Sequence, residues 1–329
     1  MDVEELLKRY ASGERDFRKL NSTGVILVRA KLEKANFQGA SFAGANLSRS
    51  LLNETNFSDA FLYATNLSFV KFGRGKLINA DLTKANLQGA FLVKSELRGA
   101  KLSGAILTGV NLRSANLSGV NLCGANLSGI NLRGANLSEA NLNWANLSLA
   151  RLNKAILKGT LLNGVNLSGA HLEEVDLQGF DLNGVDFSGA RLKGSNLEGA
   201  DLTASNLSGA NLSCACLQEA SLNGANLTEA IAITTNFIEA NLTRADLSYA
   251  VLKSAHLRGA NLNLTSLFQT NLSDANLRGA YLWKAELRET NLDGADLTGA
   301  SLRGATLDNI DLTNTNLTGA IMPDGRVYE

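Results

Sequence analysis

Ala115-Asn116-Leu117-Ser118-Gly119-Val120-Asn121-Leu122-Cys123-Gly124-Ala125-Asn126-Leu127-Ser128-Gly129 is one five-residue unit written three times over. Working outward from it, Leu or Phe stands at every fifth residue from Leu27 to Leu317, and Met322 closes the series. Ala232 is the one break in that run; backward from Leu27, Phe17 is in register and Ser22 is a second exception. About sixty repeats thus follow one another without insertion or deletion. Two residues before each Leu stands a small one, usually Ala, and between them most often Asn or Asp. The two residues after it are mostly Ser, Thr, Arg, Asn, Lys, Gln, Glu or Gly.

A period of five suits neither standard element. Five residues rotate an α-helix by about 500°, so the leucines would spiral around it, and an odd number alternates their faces along a strand. The chain must therefore turn once per repeat, with Leu and the small residue inward, three side chains outward, and Gly easing the corner. Burying one Leu stabilises by roughly 1.5 to 3 kcal/mol, whereas ordering five residues of backbone costs on the order of 5 to 10 kcal/mol. One coil cannot stand alone, so stability must come from stacking coil on coil, and the ends are the weak points.

Composition fits that reading. The 329 residues are 45% hydrophobic but only 6% aromatic, with 31 Gly and a single Pro. Lys plus Arg equals Asp plus Glu at 31 each, so net charge names no partner. Cys123, Cys214 and Cys216 are an odd number, against a disulfide framework. The start lacks the features of a signal peptide and no stretch reaches the roughly 20 apolar residues of a membrane span, which points to a cytoplasmic chain with no membrane partner.

Runs such as Ala115-Asn116-Leu117-Ser118-Gly119 resemble the pentapeptide repeat family, and the likeness covers residues 17 to 322. It implies a right-handed quadrilateral β-helix, an all-β solenoid with four repeats and hence about 20 residues per coil; the sequence itself shows only the five. About fifteen coils at a spacing of about 4.7 to 4.9 Å would make a straight rod roughly 70 Å long. Residues 1–16 are expected to form a capping helix and turn, 17–322 the β-helix, and 323–329 a turn and tail. Asp2-Val3-Glu4-Glu5 fits a capping box, Val3, Leu6, Leu7 and Tyr10 recur at helical spacing, Gly13 is placed to end the helix, and Pro323-Asp324-Gly325 reads as a turn. The segments Glu4 to Phe17 and Gly319 to Gly325 are similar to cyanobacterial members of the family, which include a regulator of heterocyst differentiation.

No catalytic, cofactor or metal site is expected. With 20-residue coils, residues differing by a multiple of 20 stack in one column, which puts His171 and His256 on different sides and two coils between Cys216 and His256. Zinc bonds of about 2.0 to 2.3 Å cannot span that. Asp176, Asp181 and Asp186 fall on three different sides. Two surface features stand out. On the side of Phe72, Leu92, Leu112, Leu132 and Leu152, a basic stripe of Lys71, Arg74, Lys94, Arg113, Arg133, Arg151 and Lys154 contains no acidic residue. Tyr249, Leu264, Phe268, Tyr281 and Trp283 point outward on two adjoining sides as a candidate interaction patch, with Phe61, Tyr63 and Phe69 as a smaller set. Two interior irregularities are expected: a local bulge at Ala232, and Phe180 in an Ala slot, accommodated by small neighbours.

These features point to a non-enzymatic protein-protein interaction scaffold or regulator, in line with the regulator of cell differentiation in the family, acting as a monomer or an end-to-end dimer. The alternative is a DNA mimic acting on gyrase, as the resemblance implies for some members through an acidic surface; zero net charge departs from that pattern. Nucleic-acid binding through the basic stripe ranks third.

Overall fold

A computed structural model describes residues 2–329, in two compact units, Met1–Val165 and Asn166–Glu329. In each unit residue i makes a parallel bridge with residue i+20, as in Asp16 with Asn36, Asn21 with Ser41, Ile26 with Asn46 and Lys31 with Leu51, so a coil is four repeats and four sides. The square section follows from turns: the amide of the small residue donates to the carbonyl of the preceding Leu, as Ala40 does to Phe37 at 3.0 Å, closing a β-turn every five residues.

Every amide of the consensus repeat then has a partner. In Met1–Val165 the Leu47 amide donates to the Asn66 carbonyl of the next coil (2.8 Å), the Asn46 amide to the Val25 carbonyl of the previous one (2.8 Å), and the corner Arg49 to Ser68 (2.8 Å). Ser50 closes the turn onto Leu47 (3.2 Å). The fifth, Ser48, donates to the Asn46 side chain (3.1 Å) in an Asx turn. This is why Asn or Asp precedes Leu: its side-chain oxygen satisfies the one amide that the ladder leaves over. Where Asn is missing, another can replace it from one coil away, since Asn53 accepts from Gly73 (2.9 Å) and Asn263 from Trp283 (2.8 Å).

The turn holds its third residue at positive φ, which favours Gly, yet Lys34, Glu54, Phe69, Trp144 and Tyr249 all adopt it. Ladder bonds on both flanks hold them there, and the side chain leans over the corner of the next coil. Hence Gly164 follows Trp144 by one coil: a Cβ on Gly164 would lie 2.3 Å from the indole.

The interior is a Leu column beside an Ala column. Near the N-terminus phenylalanines replace leucines, with Phe17, Phe37 and Phe57 stacked at 5.5 and 4.9 Å and Phe42 set edge-on against the latter two. Phe72 fits because Gly75 takes the neighbouring Ala slot, where a Cβ would meet its ring at 2.2 Å. Thr in an Ala slot donates to a Leu-column carbonyl, as Thr65 does to Phe42 and Thr235 to Leu212 (2.8 Å each). Ser22, in a Leu slot, and Ser205 are buried with hydroxyls that have no partner.

Helix α1, Val3–Ala11, starts at Asp2, whose carboxylate accepts from the Glu5 amide (2.8 Å), and its Leu6 is 1% exposed. Leu7 faces solvent instead. The Tyr10 hydroxyl donates to the Glu33 carbonyl (3.0 Å), a group that corner amides of a previous coil would otherwise serve. Gly13 leaves the helix at φ +100. At the other end the Gly325 amide bonds to Met322 (2.8 Å) and the tail folds back antiparallel, pairing Val327 with Ile321. The last coil is looser: Leu307 and Leu312 are half-buried.

Two expectations are corrected. Ala232 causes no bulge: it is 1% exposed, Ile231 bridges Asn211 and Val251 in register, and Ile233 stays outward. The amides of Ala232 and Thr234 keep their bonds to Val251 and Lys253 (2.8 and 3.0 Å), so the backbone ladder overrides one missing side chain. Phe180 is not accommodated inside. Its ring remains half-exposed while its backbone stays in the ladder, because an Ala slot is too small for it.

Candidate interaction surfaces

Lys71, Arg74, Lys94, Arg113, Arg133, Arg151 and Lys154 are all exposed on one side of the Met1–Val165 unit. Phe91 and Val93 share it, and a groove of about 440 Å³ is lined by Arg74, Phe91, Val93, Lys94 and Arg113, with Glu33 and Glu54 at its N-terminal rim. Arg74, Lys94, Arg113 and Arg133 make no ion pair. Phe91 occupies an Asx position above Gly73, so the Val93 amide lacks the side-chain acceptor that the Gly73, Arg113 and Arg133 amides have.

The apolar patch in Asn166–Glu329 falls into two groups. Tyr249 and Phe268 meet edge-on at 5.4 Å, Phe268 being half-buried. Leu264, Tyr281 and Trp283 stand on the adjoining side, joined by the ladder bonds of Leu262 to Tyr281 (2.7 Å) and Leu264 to Trp283 (2.9 Å). Tyr281 is 56% exposed, and Lys284 lies 4.7 Å over the Trp283 ring. In the other unit Phe61, Tyr63 and Phe69 are exposed, with Lys84 over Tyr63 and Arg49 over Phe69.

Two features escape the pattern reading above. Trp144, 70% exposed, is the most exposed aromatic of the described residues, and Leu149 and Leu161 are outward as well. Its signal was a large apolar residue at a corner where Gly is common. Zero net charge is also misleading: residues 1–165 hold 21 Lys and Arg against 11 Asp and Glu, and residues 166–329 hold 10 against 20. Each unit has a strong field of its own, of opposite sign.

The polar candidates for chemistry are dispersed. His171 Nδ1 lies 3.9 Å from Glu173 Oε1, and His256 is exposed on another side. The Cys214 thiol contacts Thr234 Oγ1 at 3.3 Å, and Asn236 Nδ2 donates to Cys216 Sγ at 3.7 Å. Among the described residues no group of three or more His, Cys, Asp or Glu side chains is arranged to hold a metal ion, and no helix is long and apolar enough to cross a membrane.

The chain is similar over its full length to the crystal structure of HetL, a pentapeptide repeat protein involved in heterocyst differentiation regulation from the cyanobacterium Nostoc sp. strain PCC 7120, at 28% identity, 100% coverage of both chains and a TM-score of 0.19. A plasmid-mediated fluoroquinolone resistance protein, QnrB1, matches at 21% identity, covering 52% of this chain and 87% of its own, with a TM-score of 0.34. The pentapeptide repeat protein Rfr23 from the cyanobacterium Cyanothece 51142 matches at 23%, covering 50% and 99%, with a TM-score of 0.18. No curated protein matches the chain. The family model of pentapeptide repeats matches residues 17–72, 76–113, 115–153, 145–184, 186–224, 220–259, 235–274, 245–283, 270–309 and 295–324. The chain belongs to the pentapeptide repeat family, and each of its units has the four-sided coils of a quadrilateral β-helix.

Proposed function

We propose that this chain is a non-enzymatic protein-protein interaction scaffold or regulator. One observation carries the reading: Leu264, Tyr281 and Trp283 are exposed apolar side chains on a backbone whose ladder bonds leave it little freedom to move. Large side chains held in place lose little entropy on binding, which is what makes aromatic anchors effective at interfaces. Work in cyanobacterial cell differentiation belongs to the same reading, through the resemblance of the terminal motifs. The test is saturable capture of a protein from the native host, compared between the chain and its Tyr281→Ala/Trp283→Ala variant. An anchor worth about 2 kcal/mol predicts roughly 30-fold weaker binding by the variant. Equal binding by both, or no saturable partner, overturns the reading.

A second reading has one observation in its favour. The acidic excess of residues 166–329 supports topoisomerase modulation by a DNA-like surface. It expects the chain to alter gyrase supercoiling, and an unaffected reaction rejects it.

A further inference from the structure

The groove on the basic side of Met1–Val165 holds a hydrogen-bond donor that the chain itself leaves unused. In the column to which Val93 belongs, the Gly73 amide donates to Asn53 Oδ1 (2.9 Å), the Arg113 amide to Asn111 Oδ1 (3.2 Å) and the Arg133 amide to Asn131 Oδ1 (3.2 Å). Val93 has Phe91 in the Asx place, and no side chain one coil back can stand in, because residue 73 is Gly. Gly73 is not a corner glycine: its φ is not positive, so the backbone does not require Gly there. Its missing side chain leaves the floor of the groove open, with Phe91 Cε1 3.8 Å from where a Cβ would stand. Three cations surround the free donor. Lys94 follows Val93 in the chain, the Arg74 amide donates to the Val93 carbonyl (3.0 Å), and the Lys94 amide donates to the Arg113 carbonyl (3.0 Å). None of the three is in an ion pair among the described residues. Other repeats also lack an Asx, at Ile106, Ile156 and Ile231 for example, but Val93 combines that lack with a groove and unpaired cations.

We propose that this groove binds an aspartate carboxylate of an acidic protein segment, which takes the place of the missing Asx on the Val93 amide while Arg74, Lys94 and Arg113 neutralise it and its acidic neighbours. The place suits a carboxylate because Asn and Asp side chains set an oxygen on the equivalent amide throughout the fold, as Asp81 does for Thr83 (3.0 Å). Phe91, 45% exposed, and Val93 offer apolar contact to the residues that flank the aspartate. The rim narrows the choice of anion. Glu33, held by Asn53 Nδ2 (2.7 Å), and Glu54 close the N-terminal end of the groove. A nucleic-acid strand carries a charge on every unit and would meet both carboxylates as it ran past them. A protein segment can turn neutral residues toward them instead. The site lies in a different unit from Tyr281 and Trp283, so it stands whether or not those side chains anchor a partner.

Titration of the full chain with a short acetylated and amidated peptide that alternates aspartate and leucine tests this, read by calorimetry and by site-resolved amide exchange. The peptide should bind saturably and slow exchange of the Val93 amide, while the Gly73 and Arg113 amides, already bonded, should not change. Phe91→Ala and Phe91→Asn both remove the ring, but only Phe91→Asn caps the amide from within the chain. Phe91→Asn should therefore bind the peptide at least about tenfold more weakly than Phe91→Ala, the loss expected for one hydrogen bond to a charged group. Asn is the consensus residue at this place, so the fold of that variant is not at risk, and unchanged circular dichroism checks it. Replacing aspartate by asparagine in the peptide should also weaken binding at least about tenfold. The proposal is overturned by a peptide that does not bind saturably, by equal affinities for the two variants, or by a Val93 amide that the peptide leaves unmoved. Tighter binding of hexathymidylate than of the peptide also overturns it and would assign the groove to nucleic acid.

Discussion

The two units are built on one backbone scheme and differ in almost everything displayed on it. Met1–Val165 begins under a helix, is packed at its base with stacked phenylalanines, and keeps Arg74, Lys94, Arg113 and Arg133 out of ion pairs along one side. Asn166–Glu329 is lined mostly by leucine, and three of its later cations are matched: Lys253 with Asp274 (3.6 Å), Arg278 with Asp296 (3.4 Å), Arg288 with Glu286 and Asp308 (3.6 and 3.8 Å). Its last coil loosens before a short antiparallel tail closes one side. The ladder bonds are the same in both. Main-chain bonding therefore specifies the coil, and the outward residues are left to vary with use.

The two units should differ most at the end covered by α1. Leu6→Ala removes the buried anchor of α1 and should destabilise the first coils by about 2 to 5 kcal/mol. Because coils stabilise only their neighbours, hydrogen exchange should rise in residues 16–40 and stay unchanged in residues 166–329. A uniform rise in both units would contradict nearest-neighbour coupling. Next, Gly75→Ala should cost about 1 to 3 kcal/mol, since its methyl group would enter the Phe72 ring. Phe72→Leu should abolish most of that loss in the double variant, and equal losses in both backgrounds in urea unfolding would refute the steric explanation.

A smaller effect has the opposite sign. Ser205→Ala removes a buried hydroxyl without a partner and should raise stability by about 1 kcal/mol, whereas Thr235→Ala, which loses a bonded hydroxyl, should not. The smallest is a pH effect. Hydrogen bonds from Thr83, first its hydroxyl and then its amide, hold the Asp81 carboxyl below the ordinary carboxylate range, despite partial burial. Its contribution is present above the unfolded-state pKa of about 3.9 and is lost as pH falls through the lower folded-state value. Asp81→Asn should flatten the stability profile below about pH 4, and an unchanged profile would remove Asp81 from the account.

Much of this was legible in the residues. The spacing of Phe17, Leu27 and their successors identified the inward column, and Asp2, Gly13 and Pro323 marked both ends, because each acts through local backbone chemistry. Ala232 and Phe180 misled because the pattern weighs side chains, whereas the register there is held by main-chain bonds that no side-chain substitution short of Pro removes. Trp144 stands at a corner of positive φ, a position that the consensus fills with Gly or a polar residue and that carries no inward signal. The opposed charges of the units were hidden by a total of zero.

Asn or Asp is repeated because it accepts the one amide the ladder leaves over, so departures from it leave groups available to a partner. Site-resolved amide exchange tests this directly. The Ser48 amide, held by Asn46, should be protected at least about tenfold more than the Val93 amide, which follows Phe91, and Phe91→Asn should bring Val93 to the level of Ser48. Equal protection of Ser48 and Val93, or a Val93 amide unmoved by Phe91→Asn, would contradict it.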